Sequence, residues 1–174
     1  MGGAVEPVYG EGFFHVAWGV IYYTIIYDYR ELDEKAARTV NDPRLRAEEE
    51  RYIARTMQEL MDEERIVVNG ADTRCIVDLA RLERRAPRYH SAVIHARIPF
   101  QPVRGNNVYE NFYGEEEAPY PYTVYWIAPP GGKIVSVDSP GDVEFEARER
   151  IAIIRVRKGT RLPGYEAVVF RLEQ

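Results

Sequence analysis

Three histidines, His15, His90 and His95, are the side chains of this sequence that ordinarily titrate nearest neutrality, so they set the first chemical question. On an extended chain a spacing of five puts His90 and His95 on opposite faces, and the two do not chelate one ion together. His95 can instead face His15 across a sheet. Either imidazole is a candidate general base for an enzyme acting on a small acyl or anionic substrate in a pocket between sheet and helix. A carboxylate from Glu115 to Glu117 would complete a metal site with that pair, but no close ligand spacing demands one; the reading is of no metal and no cofactor. Serine is limited to Ser91, Ser136 and Ser139, none in a glycine-flanked elbow of the serine hydrolase kind. Gly10-Glu11-Gly12 precedes a strand, whereas a dinucleotide-binding glycine turn follows one.

Binding chemistry is better represented. In segment 104–121, Val108, Tyr109, Phe112, Tyr113 and Tyr120 alternate with Glu110 and the run Glu115, Glu116, Glu117. The segment reads as a long connection between strands, and connections of that length commonly act as lids or binding loops. Its aromatic density calls for a surface: the chain's own sheet, a neighbouring subunit or a ligand. Toward the other end, residues 148–161 hold six basic side chains against Glu149 alone, within a chain of formal net charge −5. Arg157, Lys158 and Arg161 lie in the turn 157–164, where guanidinium groups and backbone amides can hold a small anion. The expectation is that Tyr109, Phe112, Tyr113 and Glu115 to Glu117 contact Arg157, Lys158 and Arg161. Complementary patches on one small chain favour a homo-oligomer. A further cluster, Arg81, Arg84, Arg85 and Arg88, occupies a strand connection. Arginine beside tyrosine can also take single-stranded nucleic acid, but the net negative charge opposes an extended phosphate-binding surface.

The elements that would position these residues begin with an uncharged block, Gly12 to Tyr27, rich in aromatic and β-branched side chains. A membrane-spanning helix wants about 20 apolar residues and is usually rich in leucine, of which this block has none. It reads as a long buried strand or two strands broken at Gly19, with no membrane partner. Only acidic charges precede it, the pattern of no secretory signal, and the expected location is cytoplasmic. Asp28 with Glu31 resembles a capping-box start for a short helix. Asp42 before Pro43 caps a second, from about Pro43 to Glu64, whose apolar stripe of Leu45, Ile53, Met57, Leu60 and Met61 is clean only in its second half. Its first half stands in water or meets a partner.

Period-two segments follow: 66–68 and 73–82 around Asn69-Gly70, then 89–100, a hairpin of 122–128 with 133–137 around Pro129 to Gly132, then 143–147, 150–156 and 165–172. The result is an α+β domain, a curled and mostly antiparallel sheet of seven or eight strands packed on the long helix. One domain covers 1–174, with residues 1–11 expected to be disordered. The order of leading strand, long helix and antiparallel run is similar to helix-wrapping folds such as the hotdog and cystatin-like groups. Cys75, the single cysteine, excludes an intramolecular disulfide and reads as a small buried hydrophobe. Twenty arginines against Lys35, Lys133 and Lys158, with few amides, fit a protein from a hot habitat.

Overall fold

The computed structural model describes residues 4–173. Within it the uncharged block is an antiparallel hairpin, β1 (Val5–Ala17) and β2 (Val20–Glu31), turning at Trp18-Gly19 with Gly19 at a φ of +83°. Alternation sends Phe14, Val16, Ile21 and Ile25 inward. Residues 5–11 belong to β1, in place of the expected disorder; residues 1–3 lie outside the described residues. No helix among the described residues is long and apolar enough to cross a membrane.

The helix start expected at Asp28 is displaced. Asp28 and Glu31 are strand residues, and α1 (Glu34–Asn41) is capped by Asp33, whose carboxylate accepts the Ala36 N–H at 2.8 Å. Strand pairing decides this, because β2 stays hydrogen-bonded to β6 (Tyr89–Pro99) as far as Arg30. The second helix, α2 (Pro43–Glu63), begins as expected: Asp42 accepts from the N–H groups of Arg44 and Leu45 at 2.8 and 3.1 Å.

The α+β class holds, with fourteen strands among the described residues in place of seven or eight. One sheet contains β1, β2, β6, β5 (Ile76–Ala86), β9 (Tyr122–Ile127), β11 (Asp142–Glu146) and β12 (Ile151–Val156), in the order β11-β12-β9-β1-β2-β6-β5. Its neighbours are antiparallel except β1 and β9, which run parallel. A second sheet is ordered β10-β14-β7-β3-β4, from β10 (Lys133–Asp138), β14 (Tyr165–Leu172), β7 (Gly105–Phe112), β3 (Arg65–Val68) and β4 (Ala71–Thr73). The short strands β8 (Glu116–Glu117) and β13 (Arg161–Leu162) pair separately. The Asn69-Gly70 turn joins β3 to β4 with both residues at positive φ, +54° and +76°, the backbone that this dipeptide accepts most readily.

Two expectations are corrected. Pro129 to Gly132 does not close a hairpin, because β9 and β10 lie in different sheets and the prolines carry the chain across. Segment 104–121 is not a single loop, since its first half is β7. The inward positions of β7 are Asn107, Tyr109 and Asn111, and two amides in a buried phase hid its alternation.

The sheets enclose an aromatic core. Phe14 stacks between Tyr23 at 3.9 Å and Trp126 at 4.3 Å, while Tyr109 stands 4.9 Å from Trp126 and Phe170 6.3 Å from it. A second cluster joins Ile25, Ala80, Leu82 and Ile94 to Met57 of α2. The helix also hydrogen-bonds the β5 backbone: Gln58 accepts from Val77 N–H at 2.8 Å and donates to the Cys75 carbonyl at 3.0 Å. Glu50 accepts from Leu82 N–H at 3.0 Å. The weakly apolar first half of α2 is therefore held by a carboxylate bonded to an edge strand, which also covers part of that edge.

Candidate ligand cavity

Where the two sheets part, beside the C-terminal half of α2, they leave a cavity of about 590 Å³. Its floor is the hairpin and β9. Three rows cross them in register: Tyr122–Gly10–Tyr27, Val124–Gly12–Ile25 and Trp126–Phe14–Tyr23. Gly10 and Gly12 occupy inward positions in phase with Phe14, so the floor is low where the next row is filled by a ring. A β-carbon on Gly12 would lie 3.3 Å from the Tyr23 ring, and one on Gly10 3.2 Å from that of Tyr120. One wall is α2 through Met57, Leu60, Met61 and Glu63, followed by Glu64. The other is the second sheet, where Ile66, Asn111 and Glu166 form one row across β3, β7 and β14. Tyr113, Glu116 and Tyr120 stand at the rim.

The polar groups of that second wall are unusual for an inward sheet face. Along β14 the buried phase is Glu166, Val168, Phe170, Leu172, and the last three are core residues. Asn111 donates to Glu64 at 2.8 Å, while its own Oδ1 is buried without a hydrogen-bond partner. Burial raises Glu64 above the ordinary carboxylate range, opposed by that hydrogen bond, with Glu116 adding to the rise. Glu166 is pushed up to about 7, by burial first and by Glu64 second. The phenols of Tyr23, Tyr27, Tyr109, Tyr113 and Tyr122 are raised by burial, so they stay neutral. Cys75 also lines the space; burial, with Glu64 next, pushes its thiol up to about 12, far from a reactive thiolate. Six glutamates and six tyrosines are among the lining residues, and no lysine, arginine or histidine is.

The residues singled out from the sequence fall in several places. His15 and His95 are both exposed on the outer face of the large sheet, away from the cavity; His95 Nδ1 lies 3.1 Å from Thr24 Oγ1. His90 is the buried histidine, which agrees with the opposite-face spacing. Tyr109 belongs to the core and also lines the cavity; Tyr113, Glu115 and Glu116 line it too. Phe112 faces away, with the Arg65 guanidinium over its ring at 5.4 Å and Tyr165 beside it at 5.1 Å.

The acidic segment and the basic turn meet inside one chain. β8 pairs with β13, Arg161 opposite Glu117, and Arg161 bonds Glu115 at 2.7 Å. Both ends of that ion pair are largely exposed, so it adds little stability. Arg157 reaches Asp142 at 3.5 Å instead, and Lys158 stands in solvent. The other arginine cluster is also engaged: Arg81 with Glu50, Arg84 with Glu31 and Arg85 with Ser91.

Gly10, Gly12, Glu64, Asn111 and Glu166 were not recognised in the sequence. For Glu166 a signal existed, its phase with three apolar residues of one strand. For Glu64 none did, because it follows a charged helix end.

No protein family matches the sequence, and no curated protein is significantly similar to it. Solved structures similar to the chain include yeast LTA4 hydrolase in complex with bestatin, at 8% identity and a TM-score of 0.40, covering 95% of this chain and 28% of that one. Native yeast LTA4 hydrolase is similar at 10% identity and a TM-score of 0.36, covering 95% and 29%. The chain thus spans under a third of those proteins' length, and likeness at this level carries no functional argument.

Proposed function

We propose that the chain is a binding protein that encloses a small organic molecule in the cavity between its sheets and α2. One observation carries this reading: two polar side chains on an inward sheet face, Glu166 and Asn111 with its Oδ1 unpartnered, line a space that is otherwise rich in aromatic rings. Buried polar groups are nearly always satisfied, and a ligand supplies what the chain does not. The volume lies within the range of about 300–1,000 Å³ typical of small-molecule sites. The reading treats the large sheet as curling over the cavity from the β5 side, which carries α2, toward β9. A binding role is favoured over catalysis because neither exposed histidine reaches the cavity and its thiol is held protonated.

A fragment screen by ligand-observed NMR tests this. Fragments should bind the parent chain and be lost on Gly12→Leu, whose side chain fills the floor. A screen without any hit sensitive to that substitution overturns the proposal.

A second reading, self-association, draws on β11. This edge strand of the large sheet is exposed throughout and carries Val143 and Phe145 toward solvent. Light scattering at low and high salt should then show an oligomer, and a strict monomer in both removes this reading. The patches that suggested assembly in the sequence already meet within one chain.

A further inference from the structure

The charge and hydrogen-bonding character of the cavity select a ligand class, an inference that rests on the binding role just proposed. Every fixed charge in the lining is negative. Asn111 gives one N–H to Glu64 and leaves its Oδ1 unpartnered, and the Glu166 carboxyl lies beside it in the same row. The second Asn111 N–H, the phenol hydroxyls and the Cys75 thiol are the remaining side-chain donors, and all are uncharged. The site therefore offers acceptors and lacks cationic donors, so a carboxylate or phosphate ligand would meet like charge and no counter-ion. The sequence suggested the reverse, a small anionic ligand held by the basic turn; that turn is instead bonded to Glu115 at the rim.

Two features point to an organic cation rather than a bare ion. Among the described residues no three of His, Cys, Asp or Glu converge as metal ligands. Much of the rest of the lining is aromatic, including Tyr23, Tyr27, Tyr113, Tyr120 and Tyr122, and aromatic faces attract an ammonium group while packing on the carbon frame that carries it.

We propose that the cavity takes a primary organic ammonium ion, its N–H groups donating to Glu166, Asn111 Oδ1 and Glu64, and its carbon frame lying against the tyrosine rings. Three N–H donors on one nitrogen match three acceptors that the fold brings to one row and the adjoining helix end. A quaternary ammonium would satisfy the charge and the rings but leave Asn111 Oδ1 unpaired, so it is the poorer ligand.

Matched probes test the class: phenethylamine, phenethyl alcohol and phenylacetate, each titrated calorimetrically against the full chain near neutral pH. The amine should bind about tenfold or more tighter than the alcohol, with phenylacetate showing no binding. Glu166→Gln should weaken the amine by about tenfold while leaving the alcohol unchanged, a pattern that misfolding would not produce. Equal binding of alcohol and amine, or preference for phenylacetate, overturns the ammonium assignment and keeps the binding role. If the Gly12-sensitive fragments exist but contain no amines, the assignment falls as well. If neither these probes nor any fragment reach the cavity, the binding role itself falls.

Discussion

A Glu166→Gln variant is expected to be more stable than the parent near pH 8, by up to about 3 kcal/mol, with the gain fading toward pH 4. The carboxyl is held near 7 in the folded chain against an ordinary 4.5, and burial is the main cause. Between those values the folded chain binds a proton that the unfolded chain has released. Stability therefore falls as pH rises through the window and levels off above about 7. Glu64, bonded to the neighbouring Asn111, makes ionisation worse, as does the absence of lysine, arginine and histidine from the lining. The tyrosines around it remain neutral throughout this range. Glutamine keeps the shape, removes the ionisation and so removes the cost. Urea unfolding at the two pH values measures the effect, and equal stability of parent and variant near pH 8 would show that the carboxyl is not desolvated. A stabilising change at the expense of ligand binding is the exchange expected of a functional residue.

The second large effect lies at the far side of the large sheet. Glu31, 3% exposed, accepts from Arg84 at 3.0 Å and stands 3.5 Å from Nδ1 of His90, which is 1% exposed. Asn41 holds the same guanidinium at 3.0 Å and so ties the end of α1 to β5. Removing the carboxylate by Glu31→Ala leaves Arg84 with Asn41 in place of its charged partner and should cost about 2–3 kcal/mol. That is less than the roughly 3–5 kcal/mol of a fully buried pair, because the Arg84 side chain is 34% exposed and can turn to water. The double variant with Arg84→Met should recover part of the loss, because no charge is then stranded. A loss below about 1 kcal/mol for Glu31→Ala would contradict the assignment.

His90 adds a pH signature there. Burial, the larger influence, lowers its pKa, while Glu31 acts in the opposite sense. The folded chain then binds fewer protons than the unfolded chain below the ordinary histidine value. This contribution is full above that value and is lost as pH falls through it toward the lower folded pKa. Without Glu31 the loss on acidification should be steeper.

Much of the architecture is local and could be read from side-chain order. Asp42-Pro43 starts a helix through its own cap and ring geometry, Asn69-Gly70 turns because both residues tolerate positive φ, and the Gly12–Tyr27 block is strand because branched and aromatic side chains fit a pleat. Each depends on residues a few positions apart. The strand missed at 105–112 shows the limit: its inward positions are two amides and a tyrosine, polar in sequence yet buried in the fold, where Asn69 bonds Asn107 and Glu64 takes one N–H of Asn111. The same holds for the Asp28 misreading, where pairing with β6 outweighed a local capping pattern.

Partner choice between strands lies beyond local reading, since a strand's alternation says which face is buried but not which strand lies beside it. The parallel pairing of β1 with β9 and the placing of β9 and β10 in separate sheets follow from non-local packing around Trp126, Phe14 and Phe170. That packing brings Glu64, Asn111 and Glu166, far apart in the chain, around one cavity with two glycines in its floor. Composition settled the acidic, aromatic character of the chain, while the cavity exists because tertiary packing gathers part of that character where water is scarce and electrostatic effects are strongest.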